Sequence, residues 1–268
     1  MKHSTKKLKY FAFDFDNNIL NMCSKIHMDK IIDGKWIPVA TSTARYAKIR
    51  NNPLYRPRNN NYDIAFAEFT DNGKRGNKAF LQDIQKSLIL KKFGPCWNIF
   101  KKSLINGNIF SIITARGHNS DTIKNAIKWI VFEYFTIAER NKMVKNLKYF
   151  HTLFNIKTEL LIENYLDSCE YYGVTSDDFM RIFNVPRITA KYIEEGKKLA
   201  LDRFAQRIDK FGKRVNMQPV LGFSDDDKKN IIHIETLMKE ELSLKYMIEY
   251  RLYDTSNPKI KGGRKIII

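Results

Sequence analysis

Four short apolar segments, each followed abruptly by polar residues, constrain the fold of this chain most strongly. They are residues 10–13, 109–113, 220–223 and 250–253. The first two lack the regular apolar–polar alternation of a half-exposed strand. Continuous apolar runs of this kind are typical of strands that are covered on both faces in a parallel sheet.

Patterns typical of helices lie between these segments and cover residues 95–105, 120–135, 193–211 and 230–244. Alternating strands and helices indicate the α/β class, with a doubly wound, mostly parallel sheet. In such a sheet the ligand binds at the carboxyl ends of the strands. The polar residues that follow the four strands are therefore the candidate functional site.

Composition narrows the class of protein. The 268 residues are 43% hydrophobic, which is enough for a sizeable core. No apolar run approaches the roughly 20 residues that span a bilayer, and the basic N-terminus lacks the apolar region of a signal peptide. We therefore expect no membrane association and a cytoplasmic location. The three cysteines, Cys23, Cys96 and Cys169, are far apart and odd in number, which favours free thiols.

The net charge of the chain indicates which kinds of partner it favours. A formal net charge of +18 favours anionic partners such as nucleic acid, nucleotides or phosphate groups. The lysines are scattered, however, and richness in Lys, Asn and Ile is also typical of AT-rich coding. Nucleic acid is therefore one of several anionic partners that stay open.

The polar residues after the strands form a series of paired aspartates, a threonine, a lysine in a helical segment and an acidic pair: Asp14 and Asp16 in FDFDNN, Thr114 in IITARG, Lys197 in EEGKKLALDRF, and Asp225 and Asp226 in FSDDDKK. In this order they resemble the four signature motifs of the haloacid dehalogenase-like (HAD) hydrolases. The chain is also similar to uncharacterised tailed-phage proteins, a resemblance that assigns no particular activity. For a viral chain, the expected location is the host cytoplasm.

The resemblance implies a domain organisation. Residues 1–20, 95–135 and 190–268 would form the HAD-like Rossmannoid core. Residues 21–94 would be a first cap insert, and residues 136–189 a second, helical cap insert. In this family the caps select the substrate.

The resemblance also implies a Mg²⁺-dependent phosphatase. Asp14 would be the nucleophile that forms an aspartyl-phosphate, and Asp16 would be the general acid and base. Thr114 would donate a hydrogen bond to a phosphoryl oxygen, and Lys197 would stabilise the transition state with positive charge. The expected substrate is a phosphomonoester. Because the chain is strongly basic, a nucleotide or the terminal phosphate of a nucleic acid is the favoured substrate class.

The same resemblance places Mg²⁺ among the carboxylates. Asp14, Asp225, Asp226 and the backbone carbonyl of Asp16 would provide oxygen ligands. A divalent cation would explain why like charges are tolerated together at the end of a strand. In the alternative interpretation, the acidic run at residues 225–227 only caps the following helix.

Several neighbouring residues carry weaker expectations. Arg116, Gly117 and His118 follow Thr114 and are expected to contact the substrate, although a lone loop histidine is more often a bystander. Lys191 and Lys198 compete with Lys197 for the role of the third-motif lysine. Two further sets of residues are expected near the site: Asn230, as an outer ligand or a structural link, and Thr255 with Ser256 after the fourth strand.

One departure from the family pattern keeps a second function open. The family usually has Gly-Thr or a similar pair after the second aspartate, and this chain has Asn17-Asn18. Asparagine forms local hydrogen bonds and tolerates unusual backbone angles, so activity is not excluded. The alternative is a catalytically weak or inactive HAD-like binding or structural protein.

Overall fold

The computed structural model describes residues 8–154, 160–188 and 192–268, with the side chains of residues 149–154 left aside. The strands are β1 (Leu8–Phe13), β2 (Ile26–Ile32), β3 (Lys35–Thr41), β4 (Tyr55–Pro57), β5 (Phe110–Thr114), β6 (Glu170–Gly173), β7 (Pro219–Asp225), β8 (Glu249–Asp254) and β9 (Arg264–Ile267).

The α-helices are α1 (Thr43–Ile49), α2 (Tyr62–Ala65), α3 (Lys78–Ile89), α4 (Trp97–Ile105), α5 (Ser120–Trp129), α6 (Ile137–Phe154), α7 (Leu161–Asp167), α8 (Asp177–Phe183), α9 (Ile193–Arg214), α10 (Lys228–Leu237) and α11 (Ser243–Lys245). A π-helical turn, Ile130–Tyr134, follows α5, and another, Met238–Leu242, follows α10.

The main sheet has the strand order β6-β5-β1-β7-β8-β9. Neighbours from β6 to β8 pair in parallel, and β9 pairs antiparallel with β8. The predicted α/β class and the mostly parallel sheet are therefore confirmed. The four predicted segments became β1, β5, β7 and β8, whose carboxyl ends lie at one edge of the sheet.

Helices cover both faces of this sheet. Phe13 and Ile112 point to one face, into a core shared with α3, α4, α5 and α6. Ala12 and Ile113, their chain neighbours, point to the other face, into a core shared with α9 and α10. Alternate residues of a strand point to opposite faces, so two buried faces require the continuous apolar runs seen in the sequence. Each large apolar side chain buried in this way contributes about 1.5–3 kcal/mol.

A smaller antiparallel sheet with the order β3-β2-β4 lies within residues 21–94. Asp33 and Gly34 both have positive φ angles, 48° and 74°, in the tight turn between β2 and β3. An Asp-Gly pair between two strand-like segments is a strong hairpin signal, which the sequence analysis left unused. Ile26, Met28 and Phe69 form the small core of this region. We call residues 26–71 the small-sheet segment.

Parts of both expected inserts belong to the main core. Helix α3, within residues 21–94, contributes Phe80 and Ile84 to the core on one face of the main sheet. The segment 136–189 was expected to be helical, and this expectation needs a correction because it also provides β6, an edge strand of the main sheet. The short segment EYYG has no apolar run of its own, and pairing with β5 stabilises it as a strand.

Two further expectations concern the membrane and the cysteines. Across the described ranges, no helix is both long enough and apolar enough to cross a lipid bilayer. Cys23, Cys96 and Cys169 are all free thiols. Burial raises the pKa of Cys96 to about 11, which keeps this thiol protonated at neutral pH.

Candidate active site

The pairing of β1 with β7 places two aspartates side by side. Phe13 pairs with Ser224, and the Asp14 amide donates a 2.9 Å hydrogen bond to the Ser224 carbonyl. Asp14 and Asp225 therefore meet at the carboxyl edge of the sheet, and both are buried. Carboxylate oxygens of Asp14, Asp225 and Asp226 all lie within 4.8 Å of one another. We call these three residues the carboxylate cluster.

Lys197 is the cation of this cluster. Its Nζ donates to Asp14 Oδ1 and to Asp225 Oδ2, each at 2.6 Å, and the residue is only 1% exposed. The preceding Gly196 allows α9 to pack closely against Val174, the residue after β6. A Cβ at position 196 would lie only 2.9 Å from Val174 Cβ. Helix α9 thus delivers the ammonium group to the ends of β1 and β7.

The competing lysines are placed differently. Lys198 forms a 3.7 Å ion pair with Glu195, whose side chain is 61% exposed, on the outer side of α9. Lys191 lies outside the described residues. Of the two candidates that the structure describes, Lys197 is the one that contacts the carboxylates.

The carboxylate cluster carries more negative charge than Lys197 balances. Burial, opposed by Lys197 and reinforced by Asp225, raises the pKa of Asp14 well above its usual value. Burial and the Asp225 charge raise the pKa of Asp226 to about 7. Burial is the main cause of both shifts, and the neighbouring carboxylates add to it, so a cation placed here would favour the ionised forms. Three carboxylates are hard oxygen donors of the type that Mg²⁺ prefers, so the residues present fit this ion.

Asp225 is held by its own loop and helix. The Asp227 amide donates to Asp225 Oδ1 at 2.9 Å, and Asn230 Nδ2 lies 3.1 Å from both carboxylate oxygens. Asn230 is therefore a structural link. Asp227, and not Asp225, caps α10 by accepting a hydrogen bond from the Lys229 amide. Capping and the carboxylate cluster thus involve different members of the acidic run.

Asn17 and Asn18, which follow Asp16, have structural roles in the loop after β1. Asn17 adopts a left-handed backbone conformation with φ of 55°, which asparagine tolerates better than most residues. Asn18 Nδ2 donates to the Asp14 carbonyl and to Ser224 Oγ, each at 2.8 Å. Its Oδ1 accepts from Thr255 Oγ1 at 2.9 Å. Buried Asn18 therefore joins the ends of β1, β7 and β8.

Asp16 is held separately from the carboxylate cluster. Arg116 Nε and Nη2 donate to its two carboxylate oxygens at 2.7 and 2.8 Å. Arg116 Nη2 also donates to Ser24 Oγ, and the guanidinium lies over the rings of Phe69 and Phe80. Arg116 was expected to contact the substrate, but in this structure it is 1% exposed and positions Asp16. Its buried Nη1 finds no hydrogen-bond acceptor among the residues that the structure describes.

Thr114 ends β5, and the loop that follows it joins the main sheet to the small-sheet segment through Gly117 and His118. Thr114 is fully buried at the end of β5, and its Oγ1 accepts a 3.4 Å hydrogen bond from the Arg116 amide. The Gly117 amide donates to the Phe69 carbonyl at 2.8 Å. His118 is fully buried, with Nδ1 2.8 Å from Asp71 Oδ1. Substrate contact by Gly117 and His118 stays a prediction.

Ser24 is a member of this network that the sequence analysis did not identify. It is buried, and its hydroxyl bonds to Asp83, which is paired with Arg75. A lone serine outside any motif carries no sequence signal. The link becomes visible only when the residues just before β2, helix α3 and the loop after β5 are placed together in space.

Buried His118 predicts a pH dependence of stability. Burial lowers its pKa, although Asp71 opposes this, and Arg116 lowers it further. At His118 the folded state therefore binds fewer protons than the unfolded state, and the stability that this group contributes is lost as the pH falls below the usual histidine pKa of 6.5. The raised pKa values of Asp14 and Asp226 act in the opposite direction, so the effect of His118 is read from the difference between two proteins. We expect this group to contribute up to about 1.4 kcal/mol per pH unit to the free energy of unfolding. Urea denaturation between about pH 7 and 5 measures this slope.

His118→Asn is the matched variant for this prediction. Its amide can take the place of Nδ1–H against Asp71 but does not titrate in this range. The slope should therefore be reduced in His118→Asn. An identical slope in both proteins would show that His118 does not cause the pH dependence.

No protein-family model matches the chain, and no curated protein or solved structure is significantly similar to it. The function is therefore inferred from the geometry of the site itself.

Proposed function

We propose that this chain is a Mg²⁺-dependent phosphomonoester hydrolase of the HAD type, with Asp14 as the nucleophile. The observation that supports it most is Lys197 Nζ at 2.6 Å from both Asp14 and Asp225, at the carboxyl edge of a mostly parallel sheet. A buried lysine shared by two carboxylates can stabilise charge on a transferring phosphoryl group. In this proposal the small-sheet segment acts as a cap.

The metal site of the proposal is the carboxylate cluster. Asp14 and Asp225 would hold Mg²⁺, with Asp226 and the backbone carbonyl of Asp16 as further oxygen ligands. The bound cation would neutralise charge so that an anionic phosphoryl group can approach Asp14. After burial, repulsion from Asp225 is the next cause of the raised pKa of Asp226, about 7, and a bound cation would offset this repulsion.

The chain's own residues would carry the chemistry. A carboxylate oxygen of Asp14 bonds to phosphorus while the ester P–O bond breaks, and Asp16 gives its proton to the departing oxygen. Asp16 then takes a proton from the water that attacks phosphorus, which releases phosphate and restores the Asp14 carboxylate. Lys197 stabilises the phosphoryl oxygens, and the Thr114 hydroxyl donates to one of them. Arg116 orients Asp16 for both proton transfers.

The metal proposal is tested with two variants of the acidic run. Wild-type protein should release phosphate from an aryl phosphate in the presence of Mg²⁺. This release should stop when a chelator removes the metal. Asp225→Asn should weaken Mg²⁺ binding, measured by calorimetry, by about tenfold or more, since it removes a charged ligand. Asp227→Asn is the control, because asparagine also caps helices well. Equal Mg²⁺ affinity in wild type and Asp225→Asn would contradict the metal assignment.

One observation favours the alternative of a weak or inactive binding protein. Both carboxylate oxygens of Asp16 already accept hydrogen bonds from buried Arg116, so contact of Asp16 with a leaving group would compete with these bonds. In this alternative the protein binds Mg²⁺ through Asp225 but releases no phosphate from any substrate. The same two assays therefore separate the two functions.

A further inference from the structure

A cavity of about 480 Å³ lies next to the candidate active site. Three lysines from separate parts of the chain line it: Lys25 before β2, Lys86 on α3 and Lys92 after α3. Asn17, Asn21 and Ser42 add polar groups to its wall. Ligand pockets commonly measure about 300–1,000 Å³, so this cavity is large enough for one nucleotide unit.

In the described ranges, no carboxylate pairs with the three lysines of this cavity. Within the part of the chain that the structure describes, none of the three ammonium groups forms an ion pair, and Lys92 Nζ has only a 3.7 Å contact with Cys23 Sγ. The acidic groups nearby are engaged elsewhere. Glu68 accepts from the Lys25 backbone amide and pairs with His27 and Arg75.

Asn17 connects the cavity to the carboxylate cluster. It lines the cavity, its Nδ2 donates to Thr43 Oγ1 at 3.0 Å, and its side chain lowers the pKa of the neighbouring Asp226 carboxyl. A ligand in the cavity would therefore share this residue with the cluster. Like charges gathered in a concave site without counter-ions raise the local concentration of anions.

We infer that the cavity binds a second phosphate of the substrate, so that the preferred substrate carries a phosphate or phosphodiester one sugar away from the phosphomonoester. Charged hydrogen bonds from lysine to phosphate oxygens would hold this group. Nucleoside bisphosphates and phosphorylated ends of oligonucleotides share this chemistry. The inference rests on the proposed phosphatase function and names its substrate class.

Two variants of equal charge test the inference. Lys86→Gln/Lys92→Gln removes two cavity lysines, and Lys78→Gln/Lys91→Gln removes two exposed lysines that do not line the cavity. The substrates are 4-nitrophenyl phosphate, thymidine 5′-monophosphate, thymidine 3′,5′-bisphosphate and a 5′-phosphorylated oligothymidylate. For the last two, kcat/KM should fall about tenfold or more in the cavity variant, because charged hydrogen bonds are lost. The other two substrates and the control variant should be unaffected.

Comparing the bisphosphate with the oligonucleotide distinguishes a free nucleotide from a nucleic-acid end as the substrate. Equal preference for the bisphosphate and the oligonucleotide supports recognition of the second phosphate alone. A further gain with the oligonucleotide supports a nucleic-acid end as the substrate. Equal kcat/KM for the monophosphate and both longer substrates in wild type would overturn the inference.

Binding without turnover separates this inference from the proposed function. Calorimetry with thymidine 3′,5′-bisphosphate on the Asp14→Asn background should show weaker binding only when Lys86 and Lys92 are replaced. That result in a protein without phosphatase activity would support the cavity while the catalytic proposal fails. Equal affinity in the cavity and control variants would overturn the cavity assignment, whatever the activity.

Discussion

Replacing Lys197 by methionine is expected to destabilise the metal-free protein by about 3–5 kcal/mol and to lower phosphate release by at least about a hundredfold. Lys197 is buried and contacts both Asp14 and Asp225, so methionine would leave two buried carboxylates without their cation. Methionine nearly matches the length of the lysine stem, which limits the change in packing. Urea denaturation with a chelator present measures the first effect, and an aryl phosphate assay measures the second.

Lys198→Met is the matched control for this prediction. It removes the same charge from the next position of α9, where the lysine pairs with exposed Glu195. Exposed ion pairs contribute about 0–1 kcal/mol, so this variant should keep nearly all of its stability and activity. Mg²⁺ should also recover more stability in Lys197→Met than in Lys198→Met, because it supplies charge to the same carboxylates. Equal behaviour of the two variants would contradict the role assigned to Lys197.

Much of the main sheet could be predicted because its strands are buried on both faces. The apolar segments that became β1, β5, β7 and β8 ended sharply at polar residues, and this contrast is visible without any tertiary information. The juxtaposition of Asp14 and Asp225 followed from the same pattern, because parallel strands present their carboxyl ends at one edge. The position of Lys197 came from the family resemblance and not from a physical signal.

The hydrogen-bond network around the site could not be predicted in the same way. Asp16 and Arg116 are 100 positions apart, and Asn18 and Thr255 are 237 apart. No local pattern shows that such residues meet, since the contacts depend on how the loops after β1, β5 and β8 are placed relative to one another. Strand β6 was missed for a similar reason, because its stability comes from pairing with β5. The β2–β3 hairpin, in contrast, had an Asp33-Gly34 signal that was overlooked.

The Asp14→Asn variant has the largest expected effect on activity, a loss of at least about a thousandfold, because an amide cannot attack phosphorus as a carboxylate does. Asparagine has nearly the shape of aspartate, and Lys197 keeps its 2.6 Å contact with Asp225, so the variant should fold. Asp209→Asn is a control at a buried aspartate of α9 outside the carboxylate cluster. Its stability should be affected, but its turnover under native conditions should stay close to that of wild type.

The most direct test of the central claim is Mg²⁺-dependent phosphate release from 4-nitrophenyl phosphate by wild type and Asp14→Asn, with folding of both proteins verified by denaturation. Aspartate-based phosphoryl transfer predicts release by the wild type and none above background by Asp14→Asn. Turnover by Asp14→Asn at the wild-type rate would contradict the assignment of Asp14 as the nucleophile. Absence of release by the wild type, with Mg²⁺ still bound through Asp225, would contradict the phosphatase and support the binding protein.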